Sequence, residues 1–382
     1  MEMKDYLLNI LKPLLRFCYY KNERRKVFRE ISIRKKQNKA IVEKYDNQIS
    51  HLIIFLVEGA NWFSGKDEIS GGILSIASIY EETLKLKSIH HSETIMVTHP
   101  SAHLLLRHSQ FPNKIPVFRF KQLKYFSKAT NLLVHIPEYQ FNFDLVKCLH
   151  MVFSNVPPQN IHLNILNQRI SIMPLPQKIK EVKDLGFYVT QTTAHEQYSN
   201  KEIRDKFGIP LHKLSVYATP ERYNYKTHKE KENLILVSPD AGQLKEDILN
   251  KIKQELVNFQ IKIINGISYM NYLKLIERAK YMITFGEGLD FYFIETAFSG
   301  GIAFACYNRN FFTKEFKKLD GVFESYGQML EQICNMIIKA EDDIKQYKRI
   351  NQQQFDACHQ IYNEKYYKEN LINFYSKKYL FP

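Results

Sequence analysis

The segment from Tyr281 to Asn308 constrains the fold of this 382-residue chain more than any other part of it. The apolar run from Tyr281 to Thr284 is typical of a strand that is buried on both faces of a parallel sheet. Asp290 predicts the N-cap of a helix from Phe291 to Phe298. The turn at Ser299-Gly300-Gly301 ends that helix, and a second strand follows. This order predicts a β–α–β unit.

Two carboxylates flank the loop of this unit. In such units, ligands bind beyond the carboxyl end of the strand and against the helix N-terminus. Free backbone N–H groups and the helix dipole favour anions such as phosphates there. Glu287 lies in the loop and Glu295 in the helix, eight positions apart. The sequence therefore predicts a site for a phosphorylated ligand, and the alternative is an ordinary β–α–β unit with one exposed glutamate.

At these residues the chain resembles the retaining glycosyltransferases of the GT-B fold, especially the large family 4. The matching residues are the two glutamates, the loop glycine and the small residues before the turn: Glu287, Gly288, Glu295, Ala297, Ser299 and Gly300. The resemblance implies that Glu287 is catalytic and binds the donor sugar with the N–H groups of Gly288 and Leu289. It implies that Glu295 binds the ribose of the nucleotide. It also implies retention of anomeric configuration without a metal ion or cofactor, the nucleotide-sugar being a co-substrate.

Strand and helix patterns alternate through most of the chain and predict two Rossmann-like α/β domains with parallel sheets. A strand from His51 to Val57 comes first, and Gly71 and Gly72 open the following helix. The resemblance implies that these two glycines face the donor phosphates. Further strands are predicted at Thr94–Thr98, Val117–Phe120, Asn131–Ile136, Ile161–Leu166, Phe187–Thr190 and Leu214–Ala218.

Several polar side chains follow the strands of the first half. His135 and Glu138 come at the end of one strand, and Thr193 and His195 come at the end of another. The resemblance implies a catalytic role for His135, and the alternative is a structural histidine at a strand end. We expect Glu138, Thr193 and His195 to lie on the acceptor or nucleotide side. His99 and His103 have helical spacing, but no glutamate completes a zinc-binding motif, so no metal site is expected.

The polar stretch from Thr219 to Glu232 is typical of a linker, and it divides the chain. We expect a basic helical extension at 1–48, an N-terminal acceptor domain at 49–220 and a C-terminal donor domain at 221–325. The resemblance implies that helices from 326 to 382 cross back to the first domain. It also implies that Lys245 neutralises the donor diphosphate, because the arginine that the family has nearby is absent. An exposed helix lysine is the alternative for Lys245.

The net charge of +14 predicts attraction to polyanions. Half of it lies in residues 1–48, which contain thirteen Lys or Arg and six Asp or Glu. An apolar stripe from Tyr6 to Phe17 precedes a basic run from Arg24 to Lys36, a pattern that fits a helix on an anionic membrane. Packing on the protein itself is the alternative. No nucleic-acid motif is present, so we expect no nucleic-acid partner.

The sequence also indicates a compartment. No apolar run approaches the roughly 18 residues that span a bilayer, and Lys12, Pro13 and Arg16 interrupt the only candidate signal segment. The five cysteines are scattered without a Cys-x-x-Cys pair, which fits a reducing environment. We therefore expect a cytoplasmic protein that can bind the inner face of the cytoplasmic membrane.

Together these features predict a glycosyltransferase. It would move a sugar from a nucleotide-sugar donor to a glycan or lipid-linked acceptor during the synthesis of a surface polysaccharide, either capsule or lipopolysaccharide. Two alternatives stay open at this point. One is a nucleotide-sugar epimerase of the same fold, and the other is a non-enzymatic polyanion-binding protein.

Overall fold

The computed structural model describes residues 21–44, 49–57, 71–100, 117–267 and 269–382. The predictions that concern the apolar stripe from Tyr6 to Phe17, the loop from Glu58 to Ser70 and His103 fall outside these ranges. In the described part of the chain, no helix is both long enough and apolar enough to cross a membrane.

The first domain is built on a parallel seven-stranded sheet with the order β3-β2-β1-β4-β5-β6-β7. Its strands are β1 (His51–Val57), β2 (Glu93–Thr98), β3 (Val117–Phe118), β4 (Asn131–Pro137), β5 (Ile161–Asn167), β6 (Tyr188–Thr193) and β7 (Leu211–Lys213). Its helices are α1 (Lys21–Lys44), α2 (Gly71–Lys85), α3 (Lys87–His90), α4 (Phe143–Val152), α5 (Pro176–Asp184) and α6 (Lys201–Phe207).

The apolar run of β1 explains why this sheet has helices on both faces. Successive strand side chains point to opposite faces. Leu52, Ile54 and Leu56 enter the core under α4, α5 and α6, whereas Ile53 and Phe55 enter the core under α2. Both faces must therefore be covered, as in other parallel sheets.

The second domain has a parallel five-stranded sheet with the order β12-β11-β10-β8-β9. Its strands are β8 (Glu232–Val237), β9 (Gln260–Ile263), β10 (Ala279–Ile283), β11 (Ile302–Cys306) and β12 (Val322–Phe323). The helices are α7 (Lys245–Glu255), α8 (Tyr269–Arg278), α9 (Phe291–Phe298), α10 (Tyr326–Asp342), α11 (Ile344–Ile361) and α12 (Glu364–Tyr375). The predicted architecture of two parallel α/β domains with C-terminal helices is confirmed.

The predicted strand from Leu214 to Ala218 is wrong. The last strand of the first sheet is β7, and the chain leaves the sheet after Lys213. Leu214 then packs in the core of the first domain and Ala218 in the core of the second. These side chains are apolar because they are buried between the domains, although within 214–218 only the Leu214 N–H bonds to a described strand, at the Thr193 carbonyl oxygen of β6. Burial alone produced the strand-like pattern.

The last helix, α12, packs on the first sheet. The Tyr375 hydroxyl is 2.7 Å from Thr83 Oγ1 of α2. His212 of β7 lies 2.7 Å, through Nε2, from the carbonyl oxygen of Asn370. Phe381 then pairs with Leu211 as an antiparallel bridge. The C-terminal segment therefore connects the second half of the chain to the first domain.

Candidate functional site

The loop between β10 and α9 has a conformation that only its glycines permit. Gly286 and Gly288 have φ angles of 78° and 82°, in the left-handed region. A Cβ atom on Gly288 would lie 2.6 Å from Phe312 Cε2 and 2.8 Å from the carbonyl oxygen of Cys306. The Leu289 side chain is buried in the core of the second domain. The loop is therefore closely packed against the second domain.

Asp290 attaches this loop to the start of α9. Its Oδ1 accepts a 3.1 Å hydrogen bond from the Phe293 N–H, which is the N-cap interaction that the sequence predicts. Its Oδ2 accepts a 3.1 Å hydrogen bond from the Thr284 hydroxyl. The pKa of Asp290 is raised to about 8, mainly by burial and also by the nearby carboxylates of Asp240 and Glu287. The amino end of α9 thus lies in an acidic environment.

Glu287 is exposed at the tip of the loop. The charges of Asp240 and of Arg169, a residue of the first domain, act on its carboxyl group. Desolvation raises the pKa of Glu287, Asp240 also raises it, and the Arg169 guanidinium of the first domain lowers it. The Arg169 guanidinium is therefore within electrostatic range of Glu287 across the boundary between the domains.

Glu295 is fully buried, with no exposed surface. Its Oε1 accepts hydrogen bonds from the hydroxyls of Tyr269 at 2.7 Å and Tyr223 at 3.0 Å. Burial raises the pKa of Glu295, while these hydroxyls, that of Tyr272 and the Arg222 guanidinium act in the opposite direction. The carboxylate therefore lies inside a tyrosine cluster of the second domain.

Lys245 is bound to its own loop. Its Nζ donates to the carbonyl oxygens of Ser238 at 2.9 Å and Asp240 at 2.6 Å. The same ammonium group lies 5.1 Å from the centre of the Phe285 ring. In this conformation Lys245 stabilises the turn between β8 and α7.

The first-domain side of the site is organised by two residues that follow β5. The Gln168 side chain donates a 2.9 Å hydrogen bond to the carbonyl oxygen of Gly72, near the start of α2. The Arg169 N–H donates a 2.9 Å hydrogen bond to Glu138 Oε1. His195 Nε2 lies 2.7 Å from the carbonyl oxygen of Gln168. The structure thus brings Gly72, Glu138 and His195 together around Gln168 and Arg169.

Glu138 is a buried carboxyl with a pKa in the neutral range. Burial raises its pKa to about 7, against the opposing effect of backbone hydrogen bonds and of Arg169. Its Oε2 is buried without a hydrogen-bond partner among the described residues. The group can therefore gain or lose a proton near pH 7.

His195 and Thr193 lie where the two domains meet. The His195 ring makes an edge contact with Phe311 of the second domain, with ring centres 5.4 Å apart. Burial lowers the pKa of His195, so its ring is neutral at pH 7. Thr193 is buried, and its Oγ1 accepts a 3.3 Å hydrogen bond from the His195 N–H. Thr193 therefore orients the histidine backbone.

His135 lies apart from this group, inside the first domain. It is fully buried, and its ring stacks on Phe55 at 4.3 Å between centres. Its Nδ1 is 3.0 Å from Asn164 Nδ2, and its Nε2 is 3.2 Å from the Tyr375 hydroxyl. This is the environment of a core histidine beneath α12, which is the alternative stated for it above. Its catalytic role stays a prediction that these contacts do not support.

Sequence reasoning missed Gln168, Arg169 and Asp240. Each follows a parallel strand, so the strand-end rule that selected Glu138 would also have selected them. Gln168 and Arg169 were overlooked because they match no residue of the family pattern.

Comparison with solved structures supports the architecture. An alpha-glucosyltransferase, solved in complex with UDP and a 13-mer DNA containing a central A:G mismatch, is similar over 85% of this chain and 99% of its own. The TM-score is 0.57 at 10% sequence identity. The chain has the GT-B fold. The similarity concerns the fold alone, because so few residues are identical.

Other structures are similar to this GT-B chain at lower scores. The wall teichoic acid polymerase TagF has a TM-score of 0.43 and 12% identity, over 94% of this chain and 100% of its own. The UDP-GlcNAc 2-epimerase from Neisseria meningitidis, bound to UDP-GlcNAc, has a TM-score of 0.47 and 10% identity, over 86% and 99%. These scores are too low to support any further conclusion. No protein-family model matches the sequence, and no curated protein sequence matches it.

In this GT-B chain, the residues that follow parallel strands of the two sheets meet at the domain boundary. Arg169 lies near Glu287, and His195 contacts Phe311. The Gln197 side chain also donates a hydrogen bond to the carbonyl oxygen of Asn310. A ligand bound beside Glu287 would therefore contact both domains.

Proposed function

We propose that this protein transfers a sugar from a nucleotide-sugar donor to a glycan or lipid-linked acceptor. The proximity of Glu287, on a glycine loop of the second domain, and Arg169 of the first domain carries the proposal. This arrangement offers a carboxylate for sugar hydroxyls, a cation for phosphates and the N-terminus of α9, all at the ends of parallel strands.

The donor would lie mainly on the second domain. Glu287 and the N–H groups of Gly288 and Leu289 would bind the sugar. The diphosphate would lie between the α9 N-terminus and the amino end of α2, where Gly71 and Gly72 would let it approach the backbone. Glu138, Thr193 and His195 would form the acceptor side. Glu295 would support the nucleotide by holding the tyrosine cluster beside α8 and α9.

The stereochemistry that we propose is retention. Its support is the match of Glu287, Gly288 and Glu295 to the retaining family, in which neither glutamate acts as a covalent nucleophile. Departure of the nucleoside diphosphate would be assisted by fixed positive charges around it. The anomeric configuration of the product, determined by NMR, tests this part.

We further propose that α1 binds an anionic membrane, which would place the enzyme beside lipid-linked acceptors of surface-polysaccharide synthesis. Ile41 is buried in the first domain, and the Gln37 side chain donates a 3.0 Å hydrogen bond to the carbonyl oxygen of Val117. The C-terminal part of α1 is thus attached to the protein. Basic side chains along the whole of α1 are exposed, namely Arg24, Arg25, Arg34, Lys35, Lys36 and Lys39. Their charge is complementary to anionic headgroups.

A thermal-shift screen against UDP, GDP, ADP, CDP and dTDP tests the donor site. A ligand that binds only the folded state adds about 2.7 kcal/mol to the free energy of unfolding at 100 times its Kd. We expect one diphosphate to raise the Tm more than its parent nucleoside does. If no diphosphate or nucleotide-sugar raises the Tm, the proposal fails.

Product analysis separates transfer from epimerisation. The nucleotide-sugar of the base that the screen selects is incubated with the protein, with and without glycan and lipid-linked acceptors. We expect acceptor-dependent release of the nucleoside diphosphate. An isomerised nucleotide-sugar formed without acceptor would instead identify an epimerase.

A further inference from the structure

We propose that Arg169 is the residue that binds the donor diphosphate, in the position that the sequence assigned to Lys245. This inference rests on the proposed function and names the group in the site that neutralises the leaving phosphate. The resemblance to the family implies a cation of the second domain, Lys245. The geometry points to a cation of the first domain.

The second-domain side of the site is rich in carboxyl groups. Around the loop between β10 and α9, the Asp240 carboxylate raises the pKa of Glu287 and of Asp290, and Glu287 also raises that of Asp290. A diphosphate placed there adds further negative charge, so binding needs a cation. The Lys245 ammonium already donates to two loop carbonyls, those of Ser238 and Asp240. These bonds use two of its three N–H donors, so at most one is left for a diphosphate unless they break.

Arg169, in contrast, is available. Its side chain is exposed, and its guanidinium forms no hydrogen bond or ion pair with any residue in the described ranges. It is close enough to Glu287 to lower the pKa of that carboxyl. A guanidinium presents several N–H donors in one plane and can bind two phosphate oxygens at once. It can therefore hold a diphosphate beside the sugar-binding loop.

The backbone of Arg169 is held in place, although its side chain bonds to none of the described residues. Its N–H is bonded to the buried carboxyl of Glu138 at 2.9 Å. The preceding residue, Gln168, is bonded to the Gly72 carbonyl at 2.9 Å. The segment is thereby attached near the amino end of α2, whose N–H groups also favour phosphate. The guanidinium thus extends from a fixed base next to a second anion-binding element.

The experiment compares Arg169→Gln, Arg169→Lys and Arg309→Gln in the full chain. Arg309 is a matched control because it is also exposed at the domain boundary, where its charge acts on Tyr198. Isothermal titration calorimetry measures Kd for inorganic pyrophosphate, for each of the five nucleoside diphosphates named above and for the corresponding nucleosides. Urea unfolding shows whether each variant folds. All three variants keep the backbone N–H of residue 169 that donates to Glu138.

We expect Arg169→Gln to weaken diphosphate binding about 10- to 100-fold, the usual range for a charged hydrogen bond. Nucleoside binding and the urea midpoint should not change. Arg169→Lys should recover part of the affinity, and Arg309→Gln should bind within about twofold of wild type. A change in nucleoside binding equal to that for the diphosphates would indicate a structural role and overturn the assignment.

Two outcomes separate this inference from the proposed function. If wild type binds a nucleoside diphosphate and Arg169→Gln binds it equally well, the Arg169 assignment is wrong and the donor site stands. Equal losses in Arg169→Gln and Arg309→Gln would show a general charge effect and would also overturn it. If the wild type binds no nucleoside diphosphate, both proposals fail.

Discussion

The hydroxyl of Tyr223 donates a 3.0 Å hydrogen bond to the buried carboxylate of Glu295. Tyr223 belongs to the connection between the two sheets, and Glu295 belongs to α9. The Lys226 N–H extends this attachment with a 3.1 Å hydrogen bond to the Ser299 carbonyl at the end of α9. The interdomain connection is therefore fixed to the helix whose N-terminus forms the candidate site.

Replacing Glu295 should weaken both the fold and the nucleotide site. Glu295→Ala leaves the hydroxyls of Tyr223 and Tyr269 without their acceptor, and an unsatisfied buried polar group costs about 1–3 kcal/mol. We expect a loss of that size in the free energy of unfolding, together with a higher Kd for nucleoside diphosphates. Urea titration and calorimetry measure the two quantities. Glu331→Ala, on the exposed face of α10, is the control, and equal stability of the two variants would contradict this role.

Replacing Glu287 should reduce turnover and leave the fold intact. Glu287 is exposed, and no described side chain bonds to it, so Glu287→Gln should change the free energy of unfolding by less than about 0.5 kcal/mol. We expect kcat to fall about 10- to 100-fold, because an amide binds the sugar hydroxyls less strongly than a carboxylate. Steady-state kinetics with the identified donor measure this. Turnover at the wild-type level would remove Glu287 from the mechanism.

Two glycines with positive φ, Gly288 in the loop before α9 and Gly208 at the end of α6, allow a controlled comparison of backbone strain. Gly288→Ala would place a Cβ atom 2.6 Å from Phe312, in addition to the cost of a φ of 82°. Gly208→Ala has a φ of 62° with no atom within 4 Å, so only the conformational cost of about 1–2 kcal/mol applies. We expect Gly288→Ala to be the more destabilising by about 1–3 kcal/mol, the usual range for overpacking. Equal urea midpoints would show that the loop adapts.

The buried carboxyl of Glu138 should make stability depend on pH. Its pKa is about 7 in the folded protein, compared with 4.5 for an unperturbed glutamate. Between these values the folded state holds a proton that the unfolded state has lost, so stability falls as pH rises. At about 1.4 kcal/mol per pKa unit, the loss approaches about 3 kcal/mol over this window.

The variant Glu138→Gln isolates this effect. It removes the titrating group, whereas Asp290, with a pKa of about 8, contributes to both proteins and cancels in their difference. We expect the wild type to lose more stability than Glu138→Gln between pH 4.5 and pH 7 in chemical unfolding experiments. Parallel curves for the two proteins would mean that Glu138 titrates normally.

Reversing charges on α1 should release the protein from anionic membranes. The triple variant Arg34→Glu, Lys35→Glu and Lys36→Glu removes three cations that are worth about 1 kcal/mol each near an anionic surface. We therefore expect binding to phosphatidylserine-containing vesicles to fall at least about 100-fold in a sedimentation assay.

A second triple variant controls for net charge. Lys339→Glu, Lys345→Glu and Lys348→Glu changes the charge equally on exposed positions of α10 and α11. This control should sediment with vesicles as the wild type does. If the two triple variants lose binding equally, a specific role of α1 is excluded.

Local signals in the sequence predict the elements around the site with accuracy. The helix predicted from Phe291 to Phe298 has those bounds in the structure. This succeeds because the Asp290 cap and the glycine turn after Ser299 act within a few residues. The prediction at Leu214–Ala218 fails because an apolar run can be buried by tertiary packing without continuing as a strand.

The sequence predicts where Lys245 and His135 lie in their elements, but it does not predict which groups their side chains contact. Lys245 is placed correctly at the start of α7, but the carbonyl oxygens that it binds come from a turn whose shape depends on packing against Phe285. His135 is placed correctly on β4, but its side chain lies on the sheet face that α12 covers. Both side chains contact groups that no local pattern specifies.

The sequence by itself determined the strand–helix alternation, the glycine loop, the cap of α9 and the concentration of positive charge near the N-terminus. These depend on periodicity, backbone preference and composition, which are properties of neighbouring residues. Only the tertiary structure decided that Arg169 approaches Glu287 and that Glu295 lies among tyrosines. Those contacts join segments far apart in the chain, and their formation depends on how the two sheets and the last helix pack together.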